Sequence, residues 1–139
     1  MKVIHAVTVA LSLGLMAGTA FAAAHAELMV RASDQDLSGG TVTAEEIVTG
    51  ANGWLVVHRT EDGMKPGPVV GHAPLKKGKN MNVTAILTEE VAQGDKLMLM
   101  LHGEDGGMKI GIFEYSLGAK EDGPVKVDGK LVMSVVSAR

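Results

Sequence analysis

Cysteine is absent from this chain, and that gap removes several functions at once. No disulfide can staple the fold, no thiol can act as nucleophile, no thiolate-dependent zinc or blue-copper site can be built, and no lipobox can tie the N-terminus to lipid. Aromatic residues are scarce too: two Phe, one Trp and one Tyr in 139 residues. A core must therefore be filled by aliphatic side chains and by some of the nine methionines, whose flexible thioethers fit irregular gaps. The short motifs of catalysis are also missing. No serine sits in a Gly-x-Ser-x-Gly elbow, no His-Glu-x-x-His pair occurs, and Gly103–Gly107 lacks the Lys-Ser/Thr ending of a phosphate-binding loop. The expectation is a protein that is not an enzyme.

What is present begins with a leader. Met1-Lys2 gives a short positive start, Val3–Met16 is almost wholly apolar, and Ala17–Ala26 is a run of small residues with cleavage sites after Ala22, Ala24 or Ala26. This order is that of a secretory signal peptide. The apolar run is short for a bilayer core of about 30 Å, so it reads as removable rather than as an anchor. Cleavage after Ala26 is favoured, which leaves 27–139 as a single domain, periplasmic or secreted. Cleavage after Ala24 would instead make His25 the first residue, its amine and imidazole together forming a start similar to that of histidine-brace copper proteins. No later segment has the length of a membrane span. With Lys2 removed, twelve Lys and Arg face sixteen Asp and Glu, an acidic balance that argues against nucleic acid as a partner.

Short runs rich in Val, Thr, Ile, Leu and Met, bounded by Gly, Asn, Asp and Pro, predict strands over Glu27–Ala32, Thr41–Val48, Gly53–Thr60, Val69–Pro74, Asn80–Leu87, Lys96–His102, Ile110–Tyr115 and Leu131–Val136. Ser38-Gly39-Gly40, Ala51-Asn52-Gly53, Glu61-Asp62-Gly63 and Asp128-Gly129 supply turn residues between them. The fold class is all-β: an antiparallel sandwich of about seven to eight strands, immunoglobulin-like or cupredoxin-like. In Asn80–Leu87 the alternation points Val83, Ala85 and Leu87 to the core. Lys96–His102 is apolar on both faces. Leu97, Leu99 and Leu101 alternate with Met98, Met100 and His102, as suits a central strand covered on both sides or one with an exposed thioether face.

The blocks Ser33-Asp34-Gln35, Gly40–Thr43, Gly53–His58, Pro66–Leu75, Gly78-Lys79-Asn80, Met100-Leu101-His102 and Asp122–Val125 together resemble a domain of unknown function found in surface and secreted proteins of halophilic archaea and bacteria. The resemblance spans nearly all of 27–139. It implies a β-sandwich and no activity.

Two constellations invite a metal. His58, His72 and His102 with Met64, and with Met98, Met100 and Met108 nearby, combine imidazole and thioether, the donors that suit copper and Cu(I) above all where no thiolate exists. A hairpin centred near Met64 sets His58 opposite about Val70 and His72 opposite about Val56, making His58 and His72 diagonal neighbours on one face. His102 ends another strand, and joins them only if it lies at the same end of the sheet as His58. The second constellation is Asp34–Glu45, whose acidic and hydroxyl residues at positions 1, 3 and 5, glycine at 6 and glutamate at 12 match a calcium loop, although strands flank it where an EF-hand has helices. The reading overall is an exported, non-enzymatic binding or structural module, its partner another exported protein or a metal ion; the alternative is a copper-binding or copper-delivery protein.

Overall fold

The computed structural model describes residues 26–139, so the leader and His25 fall outside the described residues. Nine strands and no helix make up the described chain: β1 (Met29–Arg31), β2 (Thr41–Thr49), β3 (Gly53–Glu61), β4 (Lys65–Leu75), β5 (Gly78–Ile86), β6 (Lys96–Gly103), β7 (Lys126–Val127), β8 (Lys130–Leu131) and β9 (Met133–Ser137). They form two main antiparallel sheets, ordered β1-β2-β5 and β4-β3-β6-β9, with β7-β8 as a separate small hairpin. The all-β sandwich expected from the strand spacing is the observed architecture.

Its core lies between the two sheets. Val42, Ala44 and Ile47 of β2 and Ala85 of β5 meet Leu55 and Val57 of β3, Val70 and Ala73 of β4, and Leu97, Leu99 and Leu101 of β6, all buried. Val83 is partly buried against the same cluster while Ala85 and Leu87 are buried and Ile86 is 75 % exposed, as the alternation of that strand required. Where β4 approaches β5 across the sandwich, Gly71 makes the close passage possible: a Cβ there would stand 2.8 Å from the Ile86 carbonyl oxygen. Gly71→Ala is expected to force the sheets apart and destabilise the domain by about 1–3 kcal/mol, the usual cost of overpacking, measured as a lower melting temperature. A melt unchanged from wild type would show that the β4–β5 contact tolerates the shift.

The strand β4 carries Pro66, Pro68 and Pro74 and lies at a sheet edge, where residues without an N–H are tolerated. Its pairing with β3 slips around His58, from Val57↔Gly71 to His58↔Val69 and then Thr60↔Pro66. This bulge bends β4 and turns the Gly67 carbonyl toward the sheet face. At the other end of the chain, Asp128 (φ 50°) and Gly129 (φ 75°) take the left-handed conformations of a two-residue hairpin turn between β7 and β8.

Two strand expectations are corrected. Ile110–Tyr115 is not a strand. Its apolar alternation has another use: Phe113 and Tyr115 turn toward the sheet while Ile110 is 95 % and Ile112 53 % exposed. Leu131–Val136 divides between the end of β8 and β9, because the β7-β8 hairpin, too short to register as a hydrophobic run, takes its first residue.

Candidate functional site

The sheet β4-β3-β6-β9 is apolar on its outer face as well. Pairing of β3 with β6 sets Trp54 opposite His102, Val56 opposite Met100 and His58 opposite Met98. Successive residues of a strand alternate faces, so all six stand on the side away from the Leu55–Leu99 core. A sandwich normally leaves such a face in water, but here Val56, His58, Met98, Met100 and His102 are each at most 1 % exposed, and Trp54 only 6 %. The covering is the long connection after β6, residues 104–121, which lies across the sheet. Tyr115 packs edge-on to His102 (4.5 Å between ring centroids) and to His58 (5.8 Å), and Phe113 stacks on His72 (4.3 Å) and tilts against Trp54 (5.5 Å). The methionines of β6 are therefore filling for a second, smaller core, and they present no open thioether face.

Beneath this cover two imidazoles meet. His58 Nε2 lies 3.3 Å from His102 Nε2. On their far sides, His58 Nδ1 is 2.8 Å from the Gly67 carbonyl oxygen and His102 Nδ1 is 2.6 Å from the Asp122 carbonyl oxygen. A carbonyl oxygen only accepts, so each Nδ1 carries the proton and donates it. Each Nε2 of the neutral rings is then left as a bare lone pair, the two facing one another in an apolar enclosure. Burial pushes the His58 pKa down, against the Gly67 hydrogen bond, and pushes that of His102 down to about 4, where the Asp122 carbonyl opposes the shift and the neighbouring His58 adds to it. At neutral pH the rings hold no third proton to share. Two facing lone pairs could receive a cation, and each ring is already oriented through its Nδ1–H, as second-partner hydrogen bonds orient metal-ligating histidines.

Of the residues singled out in the sequence, the structure brings His58 and His102 together and leaves His72 and Met64 apart from them. His72 stands opposite Val56 as expected, but His58 meets Val69 rather than Val70, because the strand pairing slips beside it. His72 is exposed, however, and its ring is taken up by Phe113 and Trp54. Met64 sits in the β3–β4 turn with a left-handed backbone (φ 58°), half exposed. Met98, opposite His58, and Met100, between the two imidazoles in the register, occupy the buried face instead. Sequence spacing misses Tyr115 and Asp122. Both act from a connection without regular structure; the traces in the sequence are Tyr115's rarity and the place of Asp122 at the head of the block Asp122–Val125.

The Asp34–Glu45 pattern takes a different form. Asp34 accepts a hydrogen bond from the Ser137 N–H (2.8 Å), Asp36 from the Ser38 N–H (2.9 Å), and Glu45 from the Ser33 hydroxyl beside Arg31. These side chains serve a local turn and the junction with β9. Among the described residues no three or more His, Asp or Glu converge as a metal shell. No described helix is long and apolar enough to cross a membrane.

Comparison with known proteins gives one result. A family model described as Domain of unknown function (DUF7282) matches residues 28–138. No curated protein and no solved structure matches.

Proposed function

This chain belongs to the DUF7282 family of domains of unknown function, and since membership assigns no activity, we propose from the site itself that it is an exported, non-enzymatic binding module whose ligand is copper, held as Cu(I) by His58 and His102. The observation that carries this reading is the pair of Nε2 atoms 3.3 Å apart with both Nδ1 atoms committed to carbonyl oxygens. A metal ion about 2.0–2.1 Å from each nitrogen would see them at an angle of about 104–111°, which leaves room for further donors. Met98 and Met100, buried on the same face of the sheet, would be the candidates to supply them.

The charge of the ion follows from the same enclosure. Two neutral imidazoles and thioethers cancel none of a dication's charge, and burying an uncompensated charge is costly. A monovalent, soft ion costs least and favours thioether sulfur. Export is supported by the order of charged, apolar and small residues over Met1–Ala26 and by the resemblance to surface and secreted domains.

The test is titration of the mature protein with Cu(I) under reducing conditions, against a competing chelator, beside parallel thermal melts. One equivalent is expected to bind and to raise the melting temperature, because a ligand at about a hundredfold its Kd stabilises the folded state by roughly 2.7 kcal/mol. His58→Ala and His102→Ala are each expected to weaken binding tenfold or more, with His72→Ala and Met64→Leu indistinguishable from wild type. No stabilisation at Cu(I) excess, or an equal loss in His72→Ala, would overturn the reading.

A further inference from the structure

Resting on the reading of His58 and His102 as a Cu(I) site, we infer that Asp122 is the latch of that site: its side chain fastens the covering segment 104–121 closed while its backbone positions His102, so that one residue governs both the ligand and its enclosure.

Asp122 is fully buried. Its Oδ1 accepts from the Asp105 N–H (3.1 Å) and its Oδ2 from the Glu114 N–H (2.8 Å), while its own N–H donates to the Asp105 carbonyl (2.8 Å). One carboxylate thus ties the start of the cover to its middle, at the residue next to Tyr115. The Asp122 carbonyl takes the His102 Nδ1 proton, and the adjacent Gly123 carbonyl accepts from the Gly103 N–H (3.0 Å). Closing the cover and fixing the tautomer of His102 are therefore the same event at the same residue.

The remainder of the cover holds on loosely. Phe113 and Tyr115 reach inward, whereas Met108 is 92 %, Ile110 95 % and Leu117 55 % exposed. Without the carboxylate, two aromatic contacts would be its chief hold on the sheet. Asp122 also sits at φ 46°, a left-handed conformation that a non-glycine residue adopts at a cost and that Asp and Asn tolerate best. Burying an anion on two N–H donors is dearer than burying a neutral side chain. Asp122 forms none of the ion pairs found among the described residues; its carboxylate is spent on the two N–H groups of the cover.

Asp122→Asn tests this with the least change of shape. Asn keeps the left-handed backbone and one acceptor, but its amide NH2 must face one of the two N–H groups. Amide hydrogen exchange of the metal-free protein is read at Asp105 and Glu114, the imidazole 15N signals report the His102 tautomer, and the rate of Cu(I) transfer to a chelator is measured on the loaded protein. Asp122→Asn is expected to speed amide exchange at both positions and Cu(I) transfer tenfold or more, and to broaden or shift the His102 Nδ1–H signal. Tyr115→Ala, which removes the cover from the rings but keeps the latch, is expected to speed transfer while the Asp105 amide stays protected.

Should Asp122→Asn not fold, Glu114→Pro removes the N–H that Oδ2 accepts, together with the Glu114 carboxylate that accepts from the Lys109 N–H, and is expected to speed exchange at the Asp105 amide and Cu(I) transfer in the same way. Amides that stay protected in the variant, or amides that open while the transfer rate stays at wild type, would overturn the latch. A wild-type protein that takes up no Cu(I) sinks the copper reading alone. The latch is then upheld or overturned by the exchange rates together with the His102 signal.

Discussion

Acidifying the metal-free protein from pH 7 to pH 4 is expected to remove about 3 kcal/mol of stability through His102 alone, since one pKa unit is worth about 1.4 kcal/mol. In the unfolded chain this imidazole takes its proton near 6.5; in the folded chain, fully buried under Tyr115, it does so only at about 4. Between those values the unfolded state binds more protons than the folded one, so stability falls as pH falls. Above about 6.5 neither state binds the proton and the contribution is constant; below about 4 both do and the loss is complete. His58 is shifted in the same direction by the same burial and steepens the fall. Urea melts at pH 7, 5.5 and 4 measure it, and His102→Gln should flatten the curve by about one proton's slope. A wild-type stability that is level from pH 7 to 4 would mean that the rings are solvated in solution and that the cover does not close over them.

Met100→Ala is expected to cost as much as Leu99→Ala, about 2–5 kcal/mol each. For a domain of this size that is a fall in melting temperature of roughly 10 °C or more. The two residues are neighbours on β6 and point to opposite faces. Leu99 faces the space between the sheets, where truncation leaves a cavity in any sandwich. Met100 faces the side that such folds ordinarily leave to water, where the same truncation costs little. Here it is 1 % exposed, on the face where Tyr115 of the covering segment lies against His58 and His102. Thermal melts of the two variants decide the matter. A near-neutral Met100→Ala beside a damaged Leu99→Ala would show that the cover contributes no second core.

Both predictions depend on a feature that was half visible in the sequence. The run Lys96–His102 declares by its composition that both faces of the strand are apolar, and the paired alternation of Leu with Met and His states which residues share a face. Composition could not say whether the thioether side is buried or open, because that is decided by a segment lying elsewhere in the chain. Ile110–Tyr115 was the segment concerned, and its period of two reads as a strand. The segment instead turns at Ile110-Gly111 (Gly111 φ 80°) before Phe113 and Tyr115 reach the sheet, so its spacing of apolar residues arises without a strand.

The histidines divide along the same line. Hairpin register begins as a local property of the turn near Gly63, but the two register shifts around His58 move it by two residues, so that His72 meets Val56 where the turn alone would set it against Trp54. The meeting of His58 with His102 is non-local. It requires β6 to lie against β3 with Trp54 opposite His102, a choice among strand neighbours that alternation does not encode. It also requires the Gly67 and Asp122 carbonyls to turn both rings inward. What the sequence determined by itself is what short-range chemistry controls: an all-β chain without disulfides, its turns, its inward faces and a pool of imidazole and thioether donors. Which donors converge, and that they do so in the dark under Tyr115, only the tertiary structure decided, because the distance between residues 58 and 102 is set by sheet order and by the path of one irregular connection.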